Sequence, residues 1–281
     1  MILPHSFQSG WAAIDETSDP QSYIRFMDNY RRGLSDSDPA HYRPIFDLLA
    51  VQAGEMILDV GCGTGGAVRA LAPQVGQQGR VIGIDASATM IAEAEARSAG
   101  LALPIEYRVA DAHALPFPDN SVDGCYADGV FEILPDPRRA LAEMVRVLRP
   151  GGRLVIPGPD ADGSVIDAAD RAVTRRFIHF MSDYESNGWI GRQLPGYALE
   201  LGLEEINVVP LTGIVTNFTF AYDLWFRDSL AHAQAVGVLT ADEVTAWVAD
   251  QEARQRAGRC FLTWAVFVLC ARKPTTDRAL S

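Results

Sequence analysis

The chain has 281 residues, 48% of them hydrophobic and 21% charged, enough to bury a sizeable core and too apolar for a disordered segment. Against 24 Lys and Arg stand 36 Asp and Glu, a net charge of −12, and Lys273 is the single lysine. Such a chain has no positive excess with which to track a phosphate backbone or an anionic leaflet, so nucleic acid and membrane surfaces are disfavoured and a small molecule is the expected partner.

Four scattered cysteines, Cys62, Cys125, Cys260 and Cys270, form no CxxC pair and read as buried free thiols in a reducing compartment, the cytoplasm, with no metal site. Residues 1–10 carry no Lys or Arg and no long apolar core, so no signal peptide is expected. The longest apolar stretch, 263–271, is about half of what a membrane span requires.

In chain order, residues 1–47 place Tyr23, Phe26, Met27 and Tyr30 at helical spacing and predict a helical cap segment outside the sheet. From about residue 55 to 158, apolar runs of strand length alternate with helical periods, the pattern of a parallel sheet with crossover helices. The runs 56–60, 80–85, 105–109, 122–127 and 153–156 read as five strands. The first leads through Gly61-Cys62-Gly63-Thr64-Gly65-Gly66 into a helix from residue 67. The second ends on Asp85, and Ser87 is placed to cap a helix with Met90, Ile91 and Ala94 on its apolar side. Asp136 and Pro137 open a further helix with Leu141, Met144, Val145 and Leu148 on one face; Arg149-Pro150-Gly151-Gly152 ends it.

Beyond residue 158, the stretches 165–181 and 194–201 read as helices, 205–211 as a strand and 260–271 as a long apolar strand. The 212–259 stretch between these strands far exceeds a hairpin connection, is rich in aromatics (Phe218, Phe220, Tyr222, Trp225, Phe226) and predicts a helical insertion. The expected organisation is a cap segment 1–47, a core 48–211, a cap insertion 212–259, a final core strand 260–273 and a tail 274–281.

Gly61, Gly63 and Gly66 satisfy the spacing of a dinucleotide-binding loop, with Asp85 at the distance of a ribose-binding acid. Asp59, just before the loop, would repel a diphosphate but suits a ligand that carries an ammonium and a sulfonium. The run Ile57-Leu58-Asp59-Val60-Gly61-Cys62-Gly63-Thr64-Gly65 resembles the first motif of class I S-adenosylmethionine-dependent methyltransferases. Residues 81–85, Ala110-Asp111-Ala112 with Leu115-Pro116-Phe117, and 148–154 resemble the later motifs in order and spacing. The similarity spans about residues 45–158 and is to the small-molecule branch that includes ubiquinone and menaquinone C-methyltransferases and antibiotic-tailoring enzymes.

The resemblance implies an α/β fold, a Rossmann-like, doubly wound seven-stranded sheet with an antiparallel last strand, plus a helical cap. It implies S-adenosylmethionine as cofactor, S-adenosylhomocysteine as product and no metal. Asp59 would face the methionine amino group, and Gly61, Gly63 and Gly65 would let the backbone approach the cofactor. Asp85 would accept both ribose hydroxyls, Asp111 the adenine amino group, and the backbone of Ala112 would pair with the ring. Ala86 and Met90 are candidate adenine walls, or else helix packing. Asp128 opens the segment 128–134, expected beside the sulfonium.

Methyl transfer from a sulfonium is an in-line displacement: the protein aligns a nucleophile and excludes water, and a base is needed only where the nucleophile starts protonated. Glu132 stands where relatives often place His or Gln, and reads as a base, as a contact to a cationic or hydroxylated substrate, or as a solvent-facing group. His179 is the histidine expected on the substrate side, whereas His113 reads as a local packing or capping group. Tyr23, Tyr30, Phe131, Tyr222 and Trp225 are candidate substrate contacts under an aromatic lid, or else core between cap and sheet. Arg175-Arg176 and Arg31-Arg32 are candidate anchors for a substrate carboxylate or phosphate, or else surface ion pairs.

The expected activity is methyl transfer to an O, C or N atom of a small, largely apolar metabolite of specialised metabolism, by a monomer or homodimer. Two other classes compete. One is a cyclase or pericyclase that binds the sulfonium without methylating. The other is an NAD-dependent oxidoreductase, suggested by glycine spacing alone and opposed by Asp59 and the Pro150-Gly151-Gly152 connection.

Overall fold

The apolar run Met56–Val60 (β1) lies inside the sheet of the computed structural model, which describes residues 9–37, 43–184 and 186–275. Ile57, Leu58 and Val60 are fully buried, as a parallel strand covered on both faces requires. Around β1 run β2 (Arg80–Asp85), β3 (Ile105–Val109), β4 (Val122–Tyr126), β5 (Leu148–Ile166), β6 (Glu204–Val215) and β7 (Leu262–Arg272). The order across the sheet is β3-β2-β1-β4-β5-β7-β6. Strands β1 to β5 pair in parallel, and β7 is antiparallel to both its neighbours, β5 and β6.

Helices cover both faces. On one, α5 (Pro137–Val147) and α7 (Ile190–Glu200) bury Leu141, Met144, Ile190 and Leu194 against Leu58, Val60, Ile82 and Ile84. On the other, α2 (Arg43–Leu49), α3 (Gly66–Val75) and α4 (Ala88–Ser98) bury Leu49, Leu71, Val75 and Ile91 against Ile57, Val81 and Val155. The helix punctuation is as read from the residues: Ser87 accepts the Met90 amide at 3.2 Å and Asp136 the Arg139 amide at 3.0 Å. The seven-stranded doubly wound sheet with an antiparallel last strand is therefore the fold observed.

Two smaller cores lie outside the sheet. A 3₁₀ segment, Ser9–Glu16, and α1 (Pro20–Ser37) gather Ile14, Tyr23 and Ile24 around Met90 of α4. At the far end, α6 (Arg171–Tyr184), α8 (Phe218–Ala221), a π-helical turn (Tyr222–Phe226), α9 (Arg227–Ala235) and α10 (Ala241–Arg256) enclose Phe177, Phe218, Phe226 and Trp247 with Leu262 of β7. The Phe177 ring meets Phe226 at 5.6 Å and Trp247 at 5.4 Å, edge to face, a favoured aromatic geometry.

Several boundaries differ from expectation: β5 begins at Leu148, expected on the preceding helix, and α7 begins at Ile190, four residues before the expected 194. β5 does not stop at residue 156 but continues to Ile166, because Pro157 to Asp160 stay paired with β7. Beyond Tyr126, β4 no longer flanks β5, so the proline nitrogens meet no strand on that side. The helix expected over 165–181 begins only at Arg171: Val165 and Ile166 pair with Thr263 and Leu262, and Asp170 takes the Ala172 and Val173 amides as its cap. β6 reaches Val215, so the insertion starts after that residue, not at 212. The four cysteines are free thiols, with Cys270 only partly buried.

Candidate cofactor and acceptor site

Four carboxylates collect where the parallel strands end. Asp59 is 2% exposed near the end of β1 and pairs in register with Gly83 of β2 and Tyr126 of β4. Asp85 closes β2, Asp111 follows β3 and Asp128 follows β4. In open parallel sheets this edge is where ligands bind.

The glycine turn is fastened to the same edge. Gly61 and Cys62 both donate their amides to the Ile84 carbonyl at 2.8 Å. Gly61, Gly63 and Gly65 all have positive φ, at 73°, 51° and 75°. A Cβ at Gly61 would stand 2.2 Å from Val130 Cγ2, and one at Gly65 2.3 Å from the Tyr107 hydroxyl oxygen, so both backbone conformation and space demand glycine. Burial pushes the Cys62 thiol well up, and the charges of Asp59 and Asp85 push it further, which marks the turn as a region of negative potential.

Asp85 accepts the Gly63 amide on one carboxylate oxygen and the Ser87 amide on the other, each at 2.9 Å. Burial raises its carboxyl above the usual range; the Ser87 and Gly63 amides oppose this without cancelling it, and nearby Asp15 adds to the rise. The loop after β3 lies alongside, with the Ala110 amide bonded to the Asp85 carbonyl at 2.9 Å. Ala86 and Ala112 thus flank one cleft, Ala86 exposed and Ala112 partly so. Asp111 is exposed, accepts the His113 amide at 2.9 Å and lies 2.7 Å from His113 Nδ1. The His113 amide first, with its ring, holds the Asp111 carboxyl below the usual range against a small opposing burial. His113 therefore acts locally, as expected. Asp128 accepts the Tyr126 hydroxyl at 3.1 Å.

The N-terminal segment closes over this edge. A Cβ at Gly63 would stand 2.6 Å from Met27 Cε, so the Met27 side chain lies directly on the glycine turn. Asp28 and Arg97 form a bidentate pair at 2.7 and 2.9 Å that ties α1 to α4. Asp15 takes the Ser87 hydroxyl and the Ala88 and Thr89 amides. Met27 stood at helical spacing in the sequence; Asp15 and Tyr107 gave no local signal, because each acts on residues far along the chain.

Several candidates are placed differently from their expected roles. Met90 is 1% exposed and packed among Ile14, Tyr23 and Ile24, which is the helix-packing alternative for it, and Tyr23 is buried in the same cluster. Phe131 belongs to the main core at 1% exposure, which is the core alternative for it. His179 is exposed on α6. Tyr222 and Trp225 pack on the cap core, Trp225 stacking on Trp264 at 5.3 Å. The side chains of Tyr30, Arg31 and Arg32 lie outside the described residues. Arg176 is ion-paired with Glu243 and is not available as an anchor.

Glu132 is half-buried in the 131–134 loop. Asn187 holds that loop: its side-chain amide donates to the Phe131 and Leu134 carbonyls at 3.0 and 2.7 Å, and its backbone amide to the Glu132 carbonyl at 3.1 Å. An Asn in a loop more than fifty residues away carries no sequence signal of such a role.

Residues 58–156 match the family model described as a methyltransferase domain. An uncharacterised 37.1 kDa protein of transposon TN4556 from Streptomyces fradiae is 38% identical over 255 residues, 87% of this chain and 70% of its own length. The O-methyltransferase resE of Aspergillus sclerotiorum is 46% identical over 110 residues, 38% of this chain and 41% of its own. The chain thus spans less than half of that named relative. A solved structure from Bacillus halodurans assigned to the methyltransferases superposes with a TM-score of 0.58 at 21% identity, over 84% of this chain and 100% of the other, a likeness of fold. The matched segment is the one that carries the glycine turn and its acids, and the chain belongs to the S-adenosylmethionine-dependent methyltransferases.

Proposed function

We propose that this chain transfers the methyl group of S-adenosylmethionine to an O, C or N atom of a small, largely apolar metabolite of specialised metabolism, releasing S-adenosylhomocysteine. The observation that carries the reading is the row of Asp59, Asp85, Asp111 and Asp128 around a glycine turn. When bound, the cofactor supplies a methyl carbon activated by a sulfonium.

The residues fit that cation. Asp59, buried beside a turn of negative potential, receives the ammonium. A carboxylate offers about four acceptor sites, so Asp85 keeps two for the ribose hydroxyls after the Gly63 and Ser87 amides are counted. Asp111, fixed by His113, accepts from the adenine amino group, and the Ala112 backbone pairs with the ring. Met27 covers the glycine turn and excludes water from it. Asp128, oriented by Tyr126, and Glu132, on the loop held by Asn187, face the transfer, with Glu132 taking the proton of a hydroxyl acceptor. Residues 9–37 and the insertion after β6 form the acceptor-side cover of a cofactor core.

Calorimetry with both nucleosides is the test. Binding of S-adenosylmethionine and S-adenosylhomocysteine to the wild type, lost in Asp85→Ala, supports the reading; a folded wild type that binds neither overturns it. Product mass then separates methylation, which adds one methyl group, from a cyclisation that leaves mass unchanged.

A further inference from the structure

Where β5 runs past β4, it forms a groove with α6 lined by Ser164, Val165, Ile166, Arg171, Arg175 and Ile178. Ser164 and Ile166 also line an adjoining apolar slot with Trp225, Phe226, Leu262 and Trp264. We propose that this groove binds an amphipathic organic anion, its carboxylate or phosphate head held by Arg171, Arg175 and Ser164 and its apolar body lying along Val165, Ile166 and Ile178. The cofactor acids lie elsewhere, at the ends of β1 to β4, so the proposal does not depend on how they act.

The arginines are the first argument. Arg171 and Arg175 are four residues apart on α6 and both exposed, and neither makes an ion pair among the described residues. Arg176 next door, by contrast, is paired with Glu243. The acids just before them in sequence are engaged: Asp167 with Arg254, Asp170 with the helix amides. Two like charges one turn apart weaken a helix, and cations in its first turns oppose its dipole. Local stability gives no reason for this arrangement, whereas an anion in the groove reverses both penalties.

Ser164 is the second. It is 7% exposed, lines both the groove and the slot, and its hydroxyl has no hydrogen-bond partner among the described residues. A buried hydroxyl left unbonded is costly, and an anionic oxygen placed between the arginines would satisfy it. The third is the rest of the groove lining: Val165, 55% exposed, with Ile166 and Ile178 offers no charge, so a ligand that continues past the head group must be apolar there.

Titration calorimetry of the full chain with octanoate, octyl phosphate, octanol and inorganic phosphate tests this. One or both octyl anions should bind at least about tenfold more tightly than octanol and than inorganic phosphate, with the preferred head group identifying carboxylate or phosphate as the natural source. The R171Q/R175Q double variant removes only exposed side chains and should weaken the octyl anion about tenfold or more while S-adenosylhomocysteine binds as in the wild type. Ser164→Ala should weaken the anion and leave octanol unchanged. Equal binding of octanol and the octyl anions, or an unchanged affinity in the double variant, overturns the proposal; unchanged nucleoside binding in the same samples shows that the family activity has not failed with it.

Discussion

The carboxylate of Asp15 accepts the Ser87 hydroxyl at 2.7 Å, while the amide of the same serine donates to Asp85 at 2.9 Å. One residue therefore joins the N-terminal segment to the acid that ends β2. Burial alone would raise the Asp15 carboxyl, but the Ser87 and Thr89 side chains and the Ala88 and Thr89 amides outweigh it and hold it below the usual range. A depressed carboxyl stabilises docking above its unfolded value and loses that stabilisation as pH falls through the folded one. Asp15→Ala should loosen the segment by about 2 kcal/mol, from lost charge-assisted hydrogen bonds. Hydrogen exchange at residues 88–90 should accelerate accordingly, and exchange unchanged from wild type would remove Asp15 from this role.

Asp85 shifts in the opposite direction, and the consequence for the cofactor follows. Its ionised form accepts hydroxyl protons, so nucleoside affinity should fall as pH drops through a value above the ordinary carboxylate range. Asp15→Asn removes a neighbouring charge and should move that fall to lower pH. Asp85→Ala should remove the two ribose hydrogen bonds proposed for it, at about 1.5 kcal/mol each, a loss of roughly 100-fold in affinity. Calorimetry across pH 4 to 8 reads both effects; an affinity indifferent to Asp85 contradicts them.

Gly158 of β5 and Gly191 of α7 meet backbone to backbone. A Cβ at Gly191 would stand 2.4 Å from the Gly158 carbonyl oxygen, and no side chain is there to yield. Gly191→Ala should destabilise the fold by about 1–3 kcal/mol through overpacking. Gly196→Ala, on the same helix with nothing within 4 Å of its Cβ position, is the matched control and should not destabilise it. Urea unfolding of the pair measures the difference, and equal midpoints would refute it.

Glu55 and Arg153 form a bidentate pair at 2.8 and 2.6 Å, and Arg153 also binds the Leu49 and Ala50 carbonyls where α2 ends. Burial would raise the Glu55 carboxyl, but Arg153 and the Gln52 amide pull it below the usual range. Its stabilisation is complete above the unfolded value and is lost as pH falls through the folded one. Glu55→Gln should cost about 3 kcal/mol near neutral pH and flatten the acid limb of the stability curve. A variant that tracks the wild type from pH 7 to pH 3 would show the pair to be inert.

The cofactor half was legible because its signals are local. Val60 to Gly65 must turn within six residues, and only glycine adopts φ near 70° without strain. Ser87 and Asp136 announce their helices because a cap bonds an amide three residues on. The acceptor half was read less well because its determinants act over distance. The sequence 157–160 has the composition of a turn, yet stays in β5 because β7 lies alongside, and the ladder shifts register before it resumes at Val165. Phe131 reads equally as core and as contact until α7 is seen packed on the same face. Asp15 and Asn187 became functional candidates only once their partners, 72 and 56 residues away, were known.

β7 is the last strand in the chain yet lies between β5 and β6. During synthesis, β1 to β5 can pair as they emerge, so the nucleoside edge is assembled first. Among the described residues β6 pairs with β7 alone, and the helices made between them rest on Leu262, so neither settles until residues 262–272 are free to insert. That end of the fold is therefore completed in one late closure, and on the proposed assignment a nascent chain is equipped for the cofactor before it is equipped to choose its acceptor.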